Sequence, residues 1–147
     1  MRNNKWHGRF LMMAKVVATW SKDPETKVGA IIVSPDMRLI SPGYNGFPRG
    51  VHDTSVRLDS PEIKNQLMQH AELNAMDNAN QSIAGWTLYC TKPCCHRCAL
   101  SIINRGIVEV YIPHLDQESS WFQEQQLAIE LMREANVNVY HITEHQK

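Results

Sequence analysis

The sequence predicts an α/β fold of three layers, α/β/α, in which a mixed sheet of about five strands is flanked by helices. Short β-branched runs recur along the 147 residues. The first two are separated by "SPDM" at 34–37, a hairpin-like turn that makes neighbours antiparallel. The later runs alternate with stretches of helical period, the pattern of crossovers between parallel strands, and right-handed crossovers fix most of the topology. No repeat, low-complexity tract or linker interrupts the chain, so residues 1–147 read as a single domain with room for a sizeable core.

The elements follow in order. Phe10, Met13, Val17 and Trp20 recur at helical intervals and define an amphipathic helix ending near Ser21, before the turn chemistry of "KDPE". Lys15 breaks the apolar stretch, which argues against a signal peptide and assigns the Met and Trp residues of this helix to the core. "KVGAIIVS" (27–34) is a buried strand. "RLISPGYNG" (38–46) begins as a second strand and dissolves into a loop rich in Gly, Pro and Asn. Residues 46–60 have no clear period and read as a long loop. Ser60 and Pro61 form an N-cap and N1 pair, opening a helix that continues to about Asn80 with a break near His70. "GWTLYCT" (85–91) is a third strand, and a helix from about Cys95 to Arg105 is closed by Gly106. "IVEVYIP" (107–113) is a strand, 116–136 a long helix with Glu124, Glu130 and Glu134 on a solvated face, and "VNVYHI" (137–142) the last strand.

The apolar fraction, 43%, is ordinary, and the formal net charge is zero. A domain built to track a phosphate backbone carries a basic excess, so a small ligand is favoured over nucleic acid. No apolar run approaches the roughly 18 residues of a membrane span. Four cysteines, three of them within "KPCCHRC" at 92–98, do not make a disulfide framework. They fit metal ligation in a reducing compartment, the cytoplasm.

Zinc takes His nitrogen and Cys thiolate. Cys95 and Cys98 are three apart and share a face at a helix start, where thiolate is favoured over thiol. Cys94 and Cys98 are four apart and could share a face too, so helix geometry does not choose between Cys94 and Cys95. His70 supplies a third ligand from another helix start. Three protein ligands leave a fourth position open, the mark of a catalytic zinc site in which water becomes a nucleophile near neutral pH. Glu72, two residues from His70, is placed to handle protons. Cys90, in a strand, reads as a small buried apolar residue, and His96 as a solvent-facing residue of the helix's first turn.

His-x-Glu followed by Pro-Cys-x-x-Cys is the signature of the zinc-dependent nucleotide and nucleobase deaminases. "SKDPETKVGAIIV", "GYNGFPRG", "HAELNA" and "TLYCTKPCCHRCA" resemble the successive blocks of the dCMP (deoxycytidylate) deaminases over about residues 5–112. Aligning Thr87-Leu88-Tyr89 and Ala99 with the family pattern without a gap puts Cys94 on its proline and Cys95 on its first ligand. The resemblance implies the cytidine deaminase-like fold, one catalytic Zn2+ on His70, Cys95 and Cys98, and Glu72 as proton shuttle in hydrolytic deamination of dCMP to dUMP. It implies that Val28 and the backbone of Ala71 line the base slot and that Asn45 reaches the sugar. Lys22, Lys27, Arg49 and Arg57 are candidates for the 5′-phosphate. It further implies an allosteric nucleotide site on Gly43, Asn45, Gly46 and Arg49. There dCTP with Mg2+ activates and dTTP inhibits, in a homo-oligomer that is a hexamer. The chain departs from the family after the fourth strand, where "IPHLDQES" offers His114 and Leu115 instead of an aromatic residue to stack on the base. His114 or Trp121 is left to take that part. Val51 and Gln69 stand where some relatives carry cysteines for a structural zinc.

Overall fold

The computed structural model describes residues 4–142. Its elements are α1 (Asn4–Ala18), β1 (Gly29–Val33), β2 (Ile40–Tyr44), α2 (Ser55–Asp59), α3 (Pro61–Leu67), α4 (Ala71–Asn78), β3 (Thr87–Cys90), α5 (His96–Asn104), β4 (Glu109–Ile112), α6 (Phe122–Glu134) and β5 (Asn138–His141). The five strands form one mixed sheet in the order β2-β1-β3-β4-β5. β1 is antiparallel to β2 and β3, whereas β3, β4 and β5 run parallel. The connections dictate this mixture. The tight turn after β1 can only reverse the chain, while α5 and α6 each carry it back to start the next strand in the same direction.

β1 is buried along its length. Ile31 and Val33 face α1 and meet Phe10, Ala14 and Val17. Ala30 and Ile32 face the larger core built with Ala75 of α4, Ile102 of α5 and Met132 of α6. One helix thus covers one face of the sheet and three cover the other. α1 lies close enough to the sheet to require a glycine beneath it: a Cβ on Gly29 would stand 2.0 Å from the Ala14 carbonyl oxygen. Beyond α1, Tyr89, Tyr111 and Tyr140 share one register on β3, β4 and β5 and stack with centroids 4.9 Å apart. His7 of α1 closes over Tyr111 at 4.3 Å and places Nδ1 2.7 Å from the Tyr89 hydroxyl.

The structure corrects several sequence expectations. α1 buries Phe10, Ala14, Val17 and Ala18, while Met13 and Trp20 are 41% and 55% exposed. The alanines permit the close approach over Gly29, so the bulky side chains turn to the flank. The segment 46–60 holds α2, with Thr54 Oγ1 accepting from the Arg57 N–H at 3.4 Å. Its five residues bury none of their side chains, so no apolar period announces them. The last helix begins at Phe122, because 117–121 form turns. Gly106 does end α5, with φ +79°.

Candidate active site

α4 and α5 lie on the same face of the sheet, and each begins with a residue of the proposed site. His70 is the N-cap of α4 and Cys95 the N-cap of α5. Cys95 Sγ accepts from the Cys98 N–H at 3.4 Å, the part usually taken by a Ser or Asp oxygen. His70 makes no capping bond. Its Nδ1 instead lies 3.4 Å from Cys95 Sγ and 3.3 Å from Cys98 Sγ. All three donor atoms fall within 4.8 Å of one another, the one such group found among the described residues.

This donor set fits zinc. Bonds of about 2.3 Å to sulfur and 2.0–2.1 Å to nitrogen, at tetrahedral angles, separate the two ligand atoms by about 3.5 Å. The electrostatics fit as well. The Cys98 thiol beside it pulls Cys95 down to about 4 against the effect of burial, and His70 adds to the pull. His70 is raised in return, first by its bond to Cys95 and against burial. Cys98 is driven up by the same Cys95 sulfur and by burial. A metal-free pair therefore holds one thiolate and one proton, and a dication displaces that proton. Cys94 is not in this donor group: it is 1% exposed within the core, and burial pushes its thiol well up.

Glu72, in the first turn of α4, is 4% exposed. Its Oε2 accepts from Cys98 Sγ at 3.4 Å and its Oε1 from Cys90 Sγ at 3.0 Å. The carboxylate is thus held against the His70-Cys95-Cys98 group through Cys98. Cys90 is buried as expected but is not merely apolar filling. The alternation of β3 puts Leu88 and Cys90 on the α4 side, yet nothing in the sequence pairs position 90 with position 72.

Val28 and Asn45 are bonded to each other: the Val28 N–H donates to Asn45 Oδ1 at 2.9 Å, and the Asn45 N–H to the Val28 carbonyl at 3.2 Å. Ala71 is fully buried at the start of α4. Gly46 forms an antiparallel bridge with Gln69, which ties the Gly-Tyr-Asn-Gly loop to the residue before His70. Gly43 lies under α4, where a Cβ would stand 2.2 Å from the Ala75 nitrogen. Arg49 is exposed and donates to Asn78 Oδ1 at 3.4 Å. Of the other phosphate candidates, Lys22 pairs with Asp53 at 2.9 Å, Lys27 donates to the Ser21 carbonyl and Arg57 to the His52 carbonyl. His114 stacks on His141 at 4.8 Å, and Trp121 stands exposed at the start of α6. Val51 is exposed, and Gln69 Nε2 donates to Asp77 at 2.6 Å. His96 and Glu124, both expected to face solvent, are half-buried, with Nδ1 of one 2.8 Å from Oε1 of the other. They join α5 to α6 beside the site.

Residues 4–113 match the cytidine and deoxycytidylate deaminase zinc-binding region. An uncharacterized deaminase from Aliivibrio fischeri is 40% identical over 138 residues, 92% of each chain. A probable deoxycytidylate deaminase from Caenorhabditis elegans is 43% identical over 111 residues, which cover 73% of this chain and 56% of that one. The chain therefore spans nearly all of the first relative and little more than half of the second. The crystal structure of dCMP deaminase from the cyanophage S-TIM5 superimposes with a TM-score of 0.76 at 25% identity, over 96% of this chain and 100% of that one. Sequence match, fold and a His-Cys-Cys donor set with a buried glutamate coincide in one place, and the chain belongs to the cytidine and deoxycytidylate deaminase family.

Proposed function

We propose that this chain is a zinc-dependent hydrolase that converts dCMP to dUMP. The supporting observation is the convergence of His70, Cys95 and Cys98 with the Glu72 carboxylate at two adjoining helix N-termini. Zinc held by His70, Cys95 and Cys98 would supply a Lewis acid that makes water a nucleophile near neutral pH. The protein does the rest. Glu72, shielded from bulk solvent, would take one proton from the attacking water and give it to ring N3, then take the second from the hydroxyl on the attacked carbon and give it to the departing amine, which leaves as ammonia. The N–H groups at the start of α5 favour the negative charge that develops at the attacked carbon's oxygen. Val28 and the Ala71 backbone flank the base, and Asn45 meets the sugar. His114 or Trp121 supplies the stacking face.

The finer parts of the proposal concern assembly and control. The whole chain acts as one deaminase domain in the cytoplasm, in keeping with four free cysteines. No helix among the described residues is long and apolar enough to cross a membrane. Regulation by dCTP with Mg2+ and by dTTP, in a homohexamer, would act through the Gly-Tyr-Asn-Gly loop. A cavity of about 120 Å³ beside this loop is lined by Trp20, Tyr44, Gly46 and Phe47, with Asp23 and the Lys22–Asp53 pair also on its wall. With Gly43 packed under α4, this regulatory part leans on Asn45, Gly46 and Arg49.

A screen for ammonia release from cytidine nucleotides, other free nucleotides and RNA tests the function. Turnover of dCMP above all others is the expected result. Turnover confined to another nucleotide or to adenosine in RNA would replace dCMP as the substrate.

A further inference from the structure

Lys64 of α3 is 4% exposed and has no part in the chemistry above. Its Nζ lies 3.0 Å from Asp23 Oδ1 and 3.5 Å from Glu25 Oε2. A buried ion pair is a poor means of stabilisation, because desolvation offsets most of the attraction. This pair instead organises a set of donors and acceptors. Asp23 Oδ1 also accepts from the Glu25 and Thr26 N–H groups at 2.8 and 3.0 Å. Asp23 Oδ2 accepts from Asn45 Nδ2 at 3.4 Å, and the Thr26 carbonyl accepts from the same amide at 2.8 Å. Asn45 Oδ1 accepts from the Val28 N–H at 2.9 Å.

These bonds leave one orientation for the Asn45 amide. Turned over, its oxygen would face a carboxylate and a carbonyl, and its NH2 would face an N–H. Both amide hydrogens are committed, so all that Asn45 can offer a ligand is the second lone pair of Oδ1. The partner must then be a donor, such as a hydroxyl. α3 runs through Met68 and Gln69 directly into His70, so Lys64 joins the helix that delivers a metal ligand to the loop that carries Val28.

We propose that the Lys64–Asp23 pair is a positioning device that fixes residues 21–28 and the Asn45 amide relative to His70, so that Asn45 presents an acceptor to a sugar hydroxyl of the nucleotide. The identity of that ligand rests on the deaminase reading; the positioning does not.

The test uses the full-length, zinc-loaded protein and the variants Lys64→Met and Asp23→Asn, read in two ways. Without substrate, hydrogen exchange at the Thr26, Val28 and Asn45 amides should quicken by about tenfold or more while zinc content is unchanged. With dCMP, KM should rise by about tenfold while kcat stays within about threefold, the split expected when binding geometry alone is lost. Unchanged exchange and unchanged KM in both variants would overturn the proposal. So would unfolding of both, which would leave the pair a purely stabilising role. Faster exchange alongside a wild-type protein that does not act on dCMP would sustain the positioning and remove the deaminase reading.

Discussion

His70 and Cys95 stand at the N-caps of neighbouring helices, with Nδ1 of one 3.4 Å from Sγ of the other. That relationship is the basis for proposing the second cysteine of the Cys94-Cys95 pair as the ligand. Purified wild-type protein and Cys94→Ala should each hold one zinc per chain after dialysis, and Cys95→Ala should lose it. Elemental analysis decides, and the reverse pattern would assign Cys94.

Gly43 and Gly46 belong to the same loop yet have different tolerances. A Cβ at Gly43 would meet the Ala75 nitrogen at 2.2 Å and the Ala71 oxygen at 2.6 Å, both backbone atoms of α4. Gly43→Ala should therefore cost about 2–3 kcal/mol or more. At Gly46 the nearest atom is on the Tyr44 ring at 3.7 Å, so Gly46→Ala should stay within about 0.5 kcal/mol. Urea midpoints measure both.

Acid stability should report on Asp23. Burial pushes its carboxyl up, but the Thr26 and Glu25 N–H groups and then Lys64 outweigh this, and it lies below 3.8. A depressed folded pKa contributes stability above the unfolded value that is lost as pH falls through the folded one. Lys64 has the opposite sense. Burial lowers it, Asp23 more than compensates, and its contribution is full below 10.5 and lost only as pH rises through its raised value. The Asp23 contribution is thus present at neutral pH and lost below about pH 4, and Asp23→Asn should flatten that limb. Urea unfolding across pH 2.5–7 tests this; an unchanged acid limb in the variant would contradict it.

Regulation has a kinetic signature. Saturation by dCMP should be sigmoidal without effector, steeper with dTTP and hyperbolic with dCTP and Mg2+. Arg49→Ala should blunt both responses. Hyperbolic kinetics indifferent to both triphosphates would remove regulation and leave the catalytic account intact.

The mixed sheet and the meeting of His70, Cys95 and Cys98 were legible in the sequence because each rests on local signals: short β-branched runs alternating with helical stretches, a cysteine pair at a helix start, and Gly106 at a helix end. Other features depend on what lies across the fold. α2 buries no side chain, so it has no apolar period to detect. Met13 and Trp20 have the correct helical spacing for a core face, and only the approach of Ala14 to Gly29 shows which face wins. Lys64 is a charged residue on a helix, expected outside until Asp23, 41 residues earlier, is seen beside it. Cys90 meets Glu72 only through the packing of β3 against α4.

The most direct test is ammonia release from dCMP by the wild-type protein and Glu72→Gln, both loaded with zinc. An amide in place of the Glu72 carboxylate keeps the shape of the site but cannot shuttle protons. Turnover should fall by roughly 10²–10⁴-fold with zinc content and fold unchanged. A Glu72→Gln variant that keeps more than a few per cent of wild-type turnover would contradict the assignment of Glu72, and with it the account of how this site works.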